Sequence, residues 1–207
     1  VSLAAAASAL GAGAGLLAWW VLRRFAPETG RPALVAMIVS TAAAFVWSTL
    51  ALPTDWALLA GLVLAWFLIC LAAIDLAVFR LPDVLTLPLI CIGLATAFIP
   101  PGASIIERLI GAAAGYACLR LLALAWRHWR GAEGIGAGDA KLLAAAGAWL
   151  GWRLLPTAVL VACAAAFGVA GIRLMIRGRK TLREPIAFGA PLSLSIFLVW
   201  LYDPYST

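Results

Sequence analysis

Apolar residues run along this chain in long blocks separated by short polar connections. The blocks repeatedly reach the roughly 17 to 25 residues that a helix needs to cross a bilayer. Eight segments can be drawn, at about 3–22, 33–51, 55–78, 84–100, 105–126, 139–155, 156–176 and 188–202. The longest polar connections, 23–32, 127–138 and 177–185, are each about ten residues, too short for a soluble domain. The pattern predicts an all-α fold: one integral membrane domain over 1–207, a polytopic bundle of about eight transmembrane helices.

Composition agrees, with 65% of the 207 residues hydrophobic and 12% charged. A chain this small has no polar shell in which to hide so many apolar runs, which excludes the soluble reading. The net charge of +6 would suggest nucleic acid in a soluble domain; here its distribution reports topology, and no nucleic-acid partner is expected. With the N-terminus outside, Arg23, Arg24, Arg31, Arg80, Arg127, Arg130, Lys141, Arg173, Arg177, Arg179, Lys180 and Arg183 fall on the cytoplasmic side, whereas Arg108 and Arg153 fall opposite. Arg120 lies within a segment, from where its side chain can snorkel. The positive-inside rule therefore predicts both termini outside.

Trp19, Trp20, Trp47, Trp56, Trp126, Trp129, Trp149, Trp152 and Trp200 lie near predicted segment ends, as an interfacial belt requires, and Trp66 is the exception. Arg23 and Arg24 follow the first apolar run, whereas a secretory signal carries its charge ahead, so the run reads as a retained span. Cys70, Cys91, Cys118 and Cys163 form no CxxC pair, and His128, the only histidine, sits in a basic turn; no metal site or disulfide is expected. Glycines four apart, Gly11 and Gly15, Gly111 and Gly115, Gly147 and Gly151, predict close helix packing. The run Gly11, Gly13, Gly15 is not a nucleotide loop, because no strand precedes it.

Candidate chemistry rests on two aspartates. A carboxylate near hydrocarbon depth costs roughly 2.5 to 3.5 kcal/mol on insertion scales, which makes Asp75 and Asp139 functional candidates. Asp75 stands about a turn before the end of its segment, ahead of Leu81, Pro82 and Asp83. Pro82 with Asp83 reads as a turn, so Asp75 is expected to be buried and Asp83 wetter. Asp139 opens the sixth segment after Gly134, Gly136 and Gly138, whose spacing predicts a loop or unwound helix start that leaves backbone open to a substrate. The two acids are 64 positions apart, yet topology puts both at similar depth on the cytoplasmic face. Two carboxyls sharing a site can hold one proton between them, so that one activates water while the other donates to a peptide carbonyl. That chemistry needs neither metal nor covalent intermediate.

Two other readings remain open on these residues alone. Asp75 could pair with Arg80 and Asp139 with Lys141 as interfacial ion pairs, or the acids could serve a proton-coupled transporter, a non-enzymatic function. A carrier, however, places its coupling acids near the midplane in broken helices, and these lie near one surface.

The motifs resemble those of the type IV prepilin leader peptidase family, membrane aspartic proteases of the GxGD class. Asp75 with Leu81-Pro82-Asp83 and Leu85-Thr86-Leu87-Pro88-Leu89 is similar to the first catalytic motif, and Gly136-Ala137-Gly138-Asp139 with Lys141-Leu142 to the second. Pro185 to Pro191 is similar to the family's proline and glycine segment before the last span, and the resemblance covers about 55–200. It implies a multi-pass protein of the bacterial cytoplasmic (inner) membrane that removes the basic leader from prepilins or pseudopilins of pilus or type II secretion systems. Asp75 and Asp139 would be the catalytic pair. Asp83, Glu133, Gly136, Gly138 and Lys141 are weaker substrate-contact candidates; a cationic leader needs acids near the surface, and Glu184 is a further one. Proteolysis would need no cofactor, whereas the methylation many members perform would use S-adenosylmethionine. Many members also carry a zinc-binding loop with paired CxxC motifs; this sequence departs there, with about ten residues between its first two segments and no CxxC, so no zinc is expected. The presenilin-type GxGD proteases share Gly138-Asp139, but the Tyr-Asp pair comes last here, at Tyr202-Asp203, and Ala190-Pro191-Leu192 is scrambled from their Pro-Ala-Leu.

Overall fold

A computed structural model describes residues 3–52, 56–99, 103–130, 136–178 and 187–202. Among them the chain is helical throughout, with no strand. The helices are α1 (Leu3–Phe25), α2 (Arg31–Ala51), α3 (Trp56–Val78), α4 (Asp83–Ala95, continued by one 3₁₀ turn, Thr96–Phe98), α5 (Ile105–Arg130), α6 (Ala137–Arg177) and α7 (Gly189–Tyr202). By length and composition, α1, α2, α3, α5 and α6 can each cross a membrane, while α4 and α7 are shorter apolar helices.

The run named α6 is two helices. Gly151 interrupts it at φ +68°, ψ 179°, a conformation essentially confined to glycine. The chain turns back there, because Asp139 and Leu143 from the first part and Val159 and Cys163 from the second line one cavity. A straight helix would carry Cys163 roughly 36 Å from Asp139 at 1.5 Å per residue. The helix divides at Gly151 rather than beside Pro156, where the two drawn segments meet.

Close packing falls where small residues permit it. A Cβ on Gly11 or Gly15 would lie 2.6 Å from the Cα of Ala42 or Ile38, so α1 and α2 touch backbone to backbone. Gly111 and Gly115 of α5 meet Gly147, Gly151 and Leu143 of α6 in the same way. These are the three glycine pairs expected to pack helices.

Two tryptophans assigned to the interfacial belt belong to the core instead. Trp149 and Trp200 are 0% and 2% exposed, and their rings meet edge to face with centroids 5.8 Å apart. Gly93 makes room for the Trp149 indole and Gly61 for Trp200, and the Trp149 Nε1–H donates to the Leu89 carbonyl at 2.9 Å. Burial is affordable because the polar edge of the indole is satisfied. Trp66, the exception by position, donates to the Ala14 carbonyl at 3.0 Å and joins α3 to α1.

Arg108 and Arg153, the two cations against the topological pattern, both have partners. Arg153 pairs with Glu107 at 3.1 Å. Arg108 is 1% exposed; its guanidinium donates to the carbonyls of Gly93, Ala148 and Trp149 and to Thr96 Oγ1, at 2.9 to 3.2 Å. Those carbonyls end α4 and the first part of α6, where helices leave acceptors without intrahelical donors. One buried cation thus caps two helices whose opposite ends carry Asp83 and Asp139, and the negative ends of both dipoles compensate its charge.

Candidate active site

Asp75 lies in the last turn of α3 and is 5% exposed. Its Oδ2 accepts a hydrogen bond from the backbone N–H of Ala190 in the first turn of α7, at 3.0 Å. The helix N-terminus presents such donors because its first amides have no intrahelical acceptor. Gly189 allows this approach: a Cβ there would stand 2.8 Å from the same oxygen.

Asp139 lies in the first turn of α6, whose N-cap is Gly136. The Asp139 amide donates to the Gly136 carbonyl at 3.2 Å, and the carboxylate lies against Gly136, where a Cβ would stand 3.3 Å from its Oδ2. The helix begins within the glycine-rich stretch, so Gly138 is helical, and its missing side chain serves packing. A Cβ on Gly138 would lie 2.8 Å from the Leu81 Cβ, and Leu81 also reaches Gly189. Leu81 is therefore wedged between the starts of α6 and α7, and it locks the loop after α3 against both.

The two carboxylates come from different helices, Asp75 from α3 and Asp139 from α6. Both line one cavity of about 1450 Å³, together with Arg80, Asp83, Gly136 and Gly138. Its wall continues over apolar residues of α5 and the second part of α6, among them Leu119, Leu122, Val159 and Cys163. Low dielectric around paired acids strengthens their mutual influence, so this arrangement suits proton transfer between two carboxyls and a polarised bond.

The ion-pair alternative is not what forms. Lys141 bridges Asp83 at 2.5 Å, with the Asp83 side chain 56% exposed. Among the described residues neither Asp75 nor Asp139 takes part in a salt bridge. As expected, Asp75 is buried and Asp83 wet. Asp83, Gly136 and Gly138 line the cavity with the two acids and Lys141 is tied to Asp83, whereas Glu133 and Glu184 lie outside the described residues. Among the latter no cluster of three or more His, Cys, Asp or Glu side chains is placed to hold a metal ion. Ala190 and Gly189 were legible only as part of a proline and glycine segment, because a backbone donor leaves no side-chain signal.

Residues 62–171 match the model of the type IV leader peptidase family. The chain belongs to that family. It is 40% identical to the prepilin leader peptidase/N-methyltransferase of Aeromonas hydrophila over 192 residues, 89% of this chain and 65% of the relative. It is 46% identical to the protein of that name from Burkholderia pseudomallei (strain K96243) over 133 residues, 64% of this chain and 43% of the relative. For the one from Pectobacterium carotovorum subsp. carotovorum the identity is 40% over 161 residues, 78% and 56% of the two chains. The chain thus spans 65% or less of the length of these relatives. No solved structure matches it significantly. The family match includes Asp75, Asp83, Asp139 and Lys141 and ends before α7, so the start of α7 joins the candidate site on geometry alone.

Proposed function

We propose that this chain is an aspartic endopeptidase that cuts the basic leader from type IV prepilins or pseudopilins at the cytoplasmic face of the bacterial inner membrane, with Asp75 and Asp139 as its catalytic pair. The observation that carries this reading is that two acids from separate helices face one cavity, neither taken up by a cation. In the reaction, the ionised aspartate takes a proton from water as the water oxygen bonds to the scissile carbonyl carbon. The protonated aspartate donates to the carbonyl oxygen. Collapse of the tetrahedral intermediate breaks the C–N bond: the departing amine takes a proton from the first aspartate, and the reforming carbonyl returns its proton to the second. No ion or cofactor enters these steps.

The cavity suits such a substrate at both ends. The charge of Asp83 is already met by Lys141, so among the described residues the two cavity acids without a cation are Asp75 and Asp139, and the apolar wall on α5 and α6 favours a membrane-embedded stretch. Counting α6 as two crossings, the charge distribution supports eight spans with both termini outside. The 13-residue α4, the 14-residue α7 and the first part of α6 are each only about 20 Å long, against a hydrocarbon core of about 30 Å. All three start at the site. A transporter is disfavoured because both acids lie in terminal helical turns at one end of the bundle, not at its middle. The relatives' names also carry a methyltransferase; no residue here is assigned to it, and the reading is confined to the peptidase.

The test is cleavage of a purified prepilin by the reconstituted protein and by Asp75→Asn and Asp139→Asn, which keep side-chain volume. Each variant is expected to lose at least about 10³-fold in rate with unchanged thermal unfolding. Retention of wild-type cleavage by either one refutes the pair.

A further inference from the structure

Phe79 follows α3 directly, and its N–H donates to the Asp75 carbonyl at 2.9 Å. Its φ is +53°, and among the described residues it is the one non-glycine with positive φ. In that region the Cβ of an L-residue crowds the following carbonyl, so a helix ending this way normally uses glycine or asparagine. A bulky aromatic there is an outlier. Packing does not repay it, because Phe79 is 53% exposed. Strain that persists without a structural return points to function. Phe79 stands one helical turn after Asp75 and lines the cavity that holds both acids.

We propose that Phe79 is a substrate-contacting residue, whose ring grips the apolar side of the peptide beside the scissile bond. This rests on the peptidase reading. The αL cap turns the chain at the end of α3, where Phe79 lines the cavity and stays half exposed. An apolar residue of the substrate covers the exposed ring face, and that burial orients the adjacent peptide bond between the two aspartates. Glycine would suit the backbone better and contact nothing.

The experiment compares wild type, Phe79→Gly and Phe79→Leu on a peptide with a basic leader and an apolar segment, reading kcat, KM and the thermal midpoint. Phe79→Gly is expected to unfold about 2 to 4 °C higher, as relief of backbone strain requires, and to lose about tenfold or more in kcat/KM through KM. Phe79→Leu keeps the apolar contact and is expected to remain within a few-fold of wild type. A ring that only anchors the protein at the membrane surface would leave KM of Phe79→Gly unmoved, and that result overturns the proposal. A second arm places the photoreactive benzoylphenylalanine at position 79 in the Asp139→Asn background and maps its crosslinks on the uncleaved peptide. Crosslinks beside the scissile bond support the contact, and none there refutes it. Should the wild type fail to cut while the crosslink forms, the peptidase reading falls and the contact stands.

Discussion

At the scale of single residues, the seat of Asp75 is set by an absence. Gly189 carries no Cβ, and one there would meet the carboxylate at 2.8 Å. Gly189→Ala must push Asp75 off the Ala190 amide, and under the proposed mechanism a displacement of about 1 Å costs on the order of 10² in rate. A leader-cleavage assay should register that loss while the unfolding midpoint moves little; full activity would show that the Ala190 bond does not position Asp75. The Asp83–Lys141 bridge makes a second prediction, because it ties the loop before α4 to the first turn of α6. Exposed pairs contribute at most about 1 kcal/mol to stability, so Asp83→Lys and Lys141→Asp should barely change unfolding but each slow cleavage several-fold. The double swap should recover most of the rate if the bridge is positional. If Asp83 instead contacts a cationic leader, the swap recovers nothing. Asp75 and Asp139 were legible in the sequence because charge is rare inside apolar segments. The Ala190 donor and the partner of Lys141 were not, since both depend on which loops meet.

Among the elements, the break in α6 and its cap form one device. A reversal at Gly151 leaves the carbonyls of Ala148 and Trp149 without helical donors, and Arg108 supplies them. Gly151→Ala forces a side chain into a conformation that costs about 1 to 3 kcal/mol. Arg108→Met leaves several buried acceptors unpaired, at about 1 to 3 kcal/mol for each such group. Both variants should lower the unfolding midpoint in detergent, Arg108→Met more; an unchanged midpoint for Arg108→Met would mean that water or another donor serves those carbonyls. The helix pattern was readable because apolar blocks of crossing length have few alternatives. The break itself was misplaced by a few residues. Pro156 is the louder sequence signal, but its ring holds φ near −65° and cannot make a turn that needs +68°.

For the molecule as a whole, the fold gathers the starts of α4 and α6 and the start of α7 around the end of α3, and places Arg108 at the far end of two of them. That polarity was partly legible: the excess of arginine and lysine on alternate connections marked one face, and Arg108 and Arg153 looked like exceptions. The structure accounts for both through partners, Arg108 as a buried cap and Arg153 in a pair with Glu107, so neither weighs against the charge rule. The orientation can then be tested directly. In a background with Cys70, Cys91, Cys118 and Cys163 replaced by alanine, single cysteines are placed at Glu28, Arg80 and Ser104, all exposed positions. Glu28 and Arg80 belong to the arginine-rich face that holds the site, and Ser104 opens α5 at the opposite one. A membrane-impermeant maleimide added to intact spheroplasts should label Ser104→Cys alone, and permeabilisation should add the other two. Labelling of Arg80→Cys from outside would invert the topology. It would also move both aspartates to the face where a cytoplasmic leader never arrives, which would end the proposed function together with the orientation.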